Sequence, residues 1–231
     1  MTVLLAACAA PPQEPVVIAT LVPTEGANPT NTPIPSQTPE PTATRTAEPP
    51  LLEPTPQTIV IPIAIYILDD ANGEMSSGRT VENIEDIYLK VNEIWSQANV
   101  QVEITNIDRV EVSQDLLIRI NNRDFFSFFN AVNSGEIYLP SFAPIVGFYT
   151  QTLGGPNGIN PSNSNTFFVM DTPSVFDERV TSHEIGHILG LHHVLDDPGR
   201  LMFSGTNGMA LSEEEIVVSR YSADGLLRRL R

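Results

Sequence analysis

Thirteen of the chain's 20 prolines fall between Ala9 and Gln57, and no aromatic residue occurs before Tyr66. A stretch with so little apolar surface cannot offset the entropy of ordering its own backbone, and its prolines bias it toward extended polyproline II. Residues 9–57, with runs such as NPTNTPIPSQTPEPTATRTAEPP, are therefore expected to be a disordered Pro/Thr-rich tether. At about 3.1 Å per residue it would reach on the order of 150 Å when fully extended. Whatever folds must be built from residues 58–231.

The opening MTVLLAACAA is a short apolar run ending in Leu5-Ala6-Ala7-Cys8, which resembles the lipobox of bacterial lipoproteins. That resemblance implies a signal peptide over residues 1–8, lipidation of Cys8, and an extracytoplasmic place at the cell surface or in the periplasm, with the lipid as membrane anchor. Two departures stand beside it. Met1-Thr2-Val3 carries no Lys or Arg, and the apolar run is shorter than the usual 7–15 or so residues. Cys8 is the only cysteine, so neither an intrachain disulfide nor a Cys-rich zinc site is available. No run approaches the roughly 20 apolar residues of a membrane-spanning helix.

Charge excludes a further class. With 28 acidic residues against 12 basic ones, the net charge of −16 repels phosphate backbones, so no nucleic-acid partner is expected. The content of 41% hydrophobic and 17% charged residues suits one soluble globular domain, expected to be a monomer.

Within the domain, TIVIPIAIYIL (58–68) reads as a buried strand, with Pro62 near its start. The stretch RTVENIEDIYLKVNEIWSQAN places Val81, Ile84, Ile87, Val91, Ile94 and Ala98 at spacings of three and four, an amphipathic helix. VQVEITNI then alternates Val100, Val102 and Ile104 as a half-buried strand. Strand, helix and strand in succession predict a crossover in a mostly parallel sheet. RDFFSFFNAV (123–132) reads as a short helix whose Phe125, Phe126, Phe128 and Phe129 belong to the core. EIYLP (136–140) and IVGFYT (145–150) are strand candidates, LGGPNGINPSNSN (153–165) is loop, and TFFVMD (166–171) is a buried strand. In ALSEEEIVVSRY, Ser212 and Glu215 form a capping box that opens a helix burying Ile216 and Val217.

All four histidines lie in HEIGHILGLHH, residues 183–193. Residues four apart on an α-helix are rotated by about 400°, so His183 and His187 share one face, a turn apart. Two imidazoles can then reach one metal ion, and imidazole nitrogen is a preferred zinc ligand. Glu184, second in H-E-x-x-H, is placed to act as a general base on water held at such an ion.

The whole run matches the H-E-x-x-H-x-x-G-x-x-H signature of the metzincin zinc metallopeptidases, and Met202, nine residues beyond His193, resembles that family's Met-turn methionine. The resemblance implies an α/β (α+β) fold: a twisted mixed sheet with an active-site helix, a Met-turn and a C-terminal helix. It also implies Zn²⁺ on His183, His187 and His193, with Gly190 ending the helix so that the chain can return. A helix unbroken to His193 would leave about 15 Å between the first and last rings. His192 is then a neighbour rather than a ligand. The chain is closer to the matrixin-like branch, because Ser204 stands where astacin-like members have a tyrosine. It lacks the cysteine of a matrixin-type propeptide, Cys8 being the only one.

The implied function is a zinc metalloendopeptidase acting on an extended polypeptide, with Glu184 as catalytic base. The alternative from another class is a surface lipoprotein whose zinc site is structural or inactive, serving as a binding or metal-scavenging module.

Overall fold

The long first strand, β1 (Ile59–Asp70), has two buried faces. Ile61, Ile63, Ile65 and Ile67 join one apolar cluster, while Ala64, Tyr66 and Leu68 join another. A strand covered on both sides has no polar alternation to display, which explains its continuous apolar run. The computed structural model of the protein describes residues 57–141, 143–161 and 164–229. The expected signal segment, Cys8 and the tether up to residue 56 lie outside the described residues.

Helix α1 (Val81–Trp95) follows, opened by a capping box between Thr80 and Asn83. It buries Ile84, Ile87, Tyr88, Val91, Ile94 and Trp95, while Val81, in its first turn, is 40% exposed and takes no part in the core. A 3-10 turn (Ser96–Ala98) and Asn99, in the left-handed conformation, reverse the chain into β2 (Val100–Val112). β2 pairs parallel with β1, as the strand–helix–strand order predicts. The register shifts between Ile63 and Ala64, where Thr105 is the extra residue of β2 and its hydroxyl donates to the Ile63 carbonyl at 3.0 Å.

Two helices cover the second face: α2 (Gln114–Asn121), whose short QDLLIRIN pattern was not anticipated, and α3 (Phe125–Ser134). Phe125 and Phe128 are core, Phe129 is partly buried against it, and Phe126 is 75% exposed, so the expectation of four core phenylalanines is corrected. At about 100° per residue, positions 125, 126, 128 and 129 spread over about 160° of the helix, too wide an arc to face inward together. The segment 136–140 is not a strand. Ile137 is buried there, but only its N–H is tied to a neighbouring element, through Ala131 O at 3.1 Å.

The sheet is completed by β3 (Ile145–Thr150), β4 (Gly158–Ile159) and β5 (Thr166–Met170), in the order β2-β1-β3-β5-β4. All pairs are parallel except β4 with β5, which is antiparallel. The short β4 lies inside the stretch read as loop; it is the edge strand, and it becomes one wall of the site.

From β5 the chain passes into α4 (Asp177–Ile188). Arg79, just ahead of α1, ties the start of α4 in place by pairing with Asp177 and donating to the Asp171 carbonyl. Asp171 in turn accepts from Ser77 Oγ and the Gly78 N–H, each at 2.6 Å. Helix α5 (Glu213–Arg228) has the expected capping box between Ser212 and Glu215. It packs through Ser219, Ala223 and Leu226, whereas Val217 is 67% exposed, a correction to the expected buried pair; Ile216 alone of the two packs against the core. Helices α1, α4 and α5 thus share the first face of the sheet. Among the described residues no helix is long and apolar enough to cross a membrane.

Candidate metal centre

Helix α4 ends where a glycine permits it. Gly190 has φ +82°, its N–H donates to His187 O at 3.1 Å, and the N–H of Leu191 donates to Gly186 O at 2.9 Å. This is the paired bonding of a Schellman cap with glycine at C′, where a side chain would strain the left-handed backbone. The chain then doubles back. Val194 N–H donates to Met202 O at 3.0 Å, so the residue after His193 is held by the loop that carries Met202.

The reversal brings three rings together. Nε2 of His193 lies 3.2 Å from Nε2 of His183 and 3.2 Å from Nε2 of His187, and the available ligand atoms of the three fall within 4.8 Å of one another. His192 is exposed and outside the cluster. The tautomers of the helix pair follow from their partners. His183 Nδ1 faces Leu201 O at 2.8 Å and His187 Nδ1 faces Leu191 O at 3.0 Å. A carbonyl only accepts, so each Nδ1 carries the proton and each Nε2 presents a lone pair.

Converging lone pairs at 3.2 Å repel unless a cation lies among them. Two imidazole nitrogens bound to one tetrahedral zinc at about 2.0–2.1 Å would stand about 3.3 Å apart, so the spacing fits the ion. Burial supports the same donor state: it pushes the His183 pKa down to about 3 and lowers that of His187, keeping both rings neutral.

Glu184 is 5% exposed and does not belong to the ring cluster. Burial raises its pKa to about 8, while the nearby Arg179 charge and the Asn160 backbone N–H pull it down. A divalent ion among the rings adds positive potential that further opposes the rise. The carboxyl lies under β4. A Cβ on Gly158 would stand 2.8 Å from Glu184 Oε1 and 2.7 Å from Val180 Cγ1, so only glycine lets the edge strand approach this closely.

Together these residues line a cleft of about 450 Å³, walled by Gly155–Asn160 on one side and by Ser204 and Gly205 on the other, with His183, Glu184, His187, His193 and Arg179 between them. Met202, two residues before Ser204, packs against α4. That side chain is fully buried, and its sulfur lies 2.7 Å from where a Cβ on Gly186 would stand. Arg200 pairs with Glu215 at 2.6 Å, and Gln97 bonds Met209 O and the Leu211 N–H, fastening the loop to α5 and α1.

All the sequence-derived candidates in the domain therefore occupy one site: His183, His187 and His193 converge, Glu184 adjoins them, Gly190 makes the turn and Met202 packs against α4. Sequence reasoning missed Gly158, Asn160 and Arg179. Arg179 had a signal, four residues ahead of His183 on the same helix face; Gly158 had none, lying in a Gly/Asn-rich run with no periodicity.

No protein-family model matches the chain, and no curated protein matches it. Among solved structures, archaemetzincin from Methanopyrus kandleri superposes with a TM-score of 0.52 over 73% of this chain and 98% of that one, at 13% identity. A chaperone–substrate complex gives a TM-score of 0.48 at 15% identity, over 74% of this chain and 36% of that one. The first likeness is one of fold. The chain has a metzincin-like α/β fold, a mixed sheet with flanking helices, and that fold carries a three-histidine cluster suited to a metal ion.

Proposed function

We propose that the domain is a zinc-dependent endopeptidase of matrixin-like metzincin type, with His183, His187 and His193 as the metal ligands and Glu184 as the general base. The observation that carries this reading is the placement of a buried carboxyl beside three converging Nε2 atoms, in a cleft whose wall is a free sheet edge. A purely structural site has no use for such a carboxyl, nor for an open side.

Zinc on three neutral imidazoles supplies a Lewis acid that polarises a carbonyl and brings the pKa of a water toward about 7. The chain's own groups do the rest. The backbone of β4 around Gly158 and Asn160 offers an edge on which an extended peptide can add as a further strand. Glu184 accepts the water's proton at its carboxylate and delivers it to the leaving amine nitrogen. Met202, read as the Met-turn methionine, and the carbonyls of Leu201 and Leu191 hold the His183 and His187 rings in register.

The test is hydrolysis of a proteome-derived peptide library by the zinc-loaded protein, beside Glu184→Gln, with zinc content measured on both. The variant is expected to keep its zinc and lose about 10²–10⁴-fold in kcat/KM. Absence of turnover in the zinc-loaded parent, or equal turnover in the variant, would leave the metal-scavenging or binding module as the better reading.

A second proposal rests on sequence alone: Cys8 is lipidated, residues 9–57 are a tether, and the domain works outside the cytoplasm at a membrane surface. Expression with a complete leader and membrane fractionation against Cys8→Ser tests it. Equal partition of the two proteins into the soluble fraction would end it.

A further inference from the structure

Arg179 sits one turn before His183 on α4, is 4% exposed, and forms part of the wall of the cleft that holds Glu184 and the three rings. Its Nη2 donates to the two carbonyls that flank Met202, Leu201 O at 2.8 Å and Phe203 O. Its Nε is buried with no hydrogen-bond partner among the described residues. Arg79, Arg109, Arg119, Arg200 and Arg228 each have a carboxylate within 4.0 Å; among the described residues Arg179 has none.

Bracing two carbonyls needs donors, not a charge. Glu184 supplies a negative charge nearby, but with no carboxylate in direct contact the buried guanidinium lacks the close ion pair that offsets its loss of water. A guanidinium that lines a substrate cleft is suited to a carboxylate, for which its planar donors are matched. No other Lys or Arg lines the cleft, whose remaining residues are Asn, Ser, Gly, Pro, Val and Ile apart from Glu184 and the histidines.

Arg179 is the cationic side chain of the cleft, inside a chain of net −16. The field of the whole chain repels acidic peptides but is screened over about 8–10 Å, so a preference for acid must arise from contact within the cleft.

Resting on the peptidase reading above, we propose that Arg179 is a specificity-determining residue: beside Ser204 and Gly205 it makes a subsite for a substrate carboxylate flanking the scissile bond. That carboxylate is an Asp or Glu side chain or the peptide's free C-terminus.

The test uses the zinc-loaded full chain and peptides paired as Asp/Asn and Glu/Gln at each position around the cut, each with a free or an amidated C-terminus. At one position the acid is expected to exceed its amide by about tenfold in kcat/KM, the equivalent of about 1.4 kcal/mol. That contrast within an Asp/Asn or Glu/Gln pair assigns the carboxylate to a side chain; the same contrast between free and amidated C-termini, with the side-chain pairs equal, assigns it to the C-terminus. Arg179→Met is expected to bring the ratio near one. Because that variant also loses the carbonyl bonds, Ser204→Asp is the companion: it leaves the guanidinium in place, supplies a competing carboxylate, and is expected to collapse the ratio likewise.

Fluorescence anisotropy of the same peptides on Glu184→Gln reads binding without turnover. Acid-selective binding that collapses in Ser204→Asp supports the subsite even if the parent cleaves nothing, in which case the peptidase reading falls alone. Cleavage or binding with an acid-to-amide ratio near one overturns the subsite, as does a ratio that both variants leave unchanged.

Discussion

The sulfur of Met202 occupies the space that a side chain on Gly186 would need: a Cβ there would lie 2.7 Å from it. Helix α4 and the loop that carries Met202 therefore touch backbone to side chain, and each limits the other's composition. Alanine would gain up to about 1 kcal/mol of helix propensity over glycine, but overpacking a filled core costs about 1–3 kcal/mol. Gly186→Ala is thus expected to destabilise the domain. Met202→Ala should cost about 2–5 kcal/mol by leaving a cavity. In the double variant the new methyl group enters that cavity, so the two losses should fall short of additive by about 1 kcal/mol in urea unfolding. Strict additivity would mean that the two residues do not meet.

The return of the chain at Gly190 brings one of two adjacent histidines into the three-ring cluster. His193→Ala is expected to lose zinc and activity, while His192→Ala, whose ring is outside the cluster, should retain nearly one zinc per chain by atomic absorption. The opposite pattern would contradict the path described for residues 190–194.

Gly158→Ala tests the closeness of the edge strand to Glu184, the proposed general base. The added methyl would meet Val180 Cγ1, Glu184 Oε1 and Glu184 Cγ, all within 2.9 Å. Because β4 is a short edge strand, it is expected to shift without unfolding the sheet, lowering kcat/KM by about tenfold or more with little change in far-UV circular dichroism. A variant as active as the parent would show that β4 does not set the position of Glu184.

Stability at high pH should follow the buried tyrosines. Tyr149 is fully buried, its hydroxyl is 3.0 Å from Thr181 Oγ1, and burial pushes its pKa to about 12 from an ordinary 10.0; burial also raises that of Tyr88. The phenolate is the form disfavoured in the fold, so the unfolded chain releases its proton first. The contribution of Tyr149 is therefore complete below about pH 10 and is lost as pH rises toward about 12. At roughly 1.4 kcal/mol per pH unit this amounts to about 3 kcal/mol. The chain has five tyrosines and one lysine, so comparison with a variant at position 149 is what isolates this residue's share. Denaturant unfolding from pH 8 to 12 should show the decline, and Tyr149→Phe should make it shallower; an unchanged slope in that variant would assign the decline elsewhere.

Periodicity and local chemistry were legible in the sequence. The β-branched run of β1, the three-and-four spacing of α1, the Ser212–Glu215 cap, the pairing of His183 with His187 and the stop at Gly190 all depend on residues a few positions apart. Those interactions are written in sequence order. What folded out of sight depends on which face a neighbour covers. Phe126 and Val217 have the same composition cues as their buried neighbours, and only the placement of the second layer leaves them in solvent. β4 is two residues long and exists because β5 offers an edge, so no local pattern announces it. The raised pKa of Glu184, the tautomers of His183 and His187 and the carbonyl partners of Arg179 are set by groups brought in from β4, from Leu191 and from the loop around Met202. Electrostatics and close packing act through space, over a few ångströms, and the chain decides which groups share those few ångströms only when the sheet, α4 and the returning loop have closed on one another.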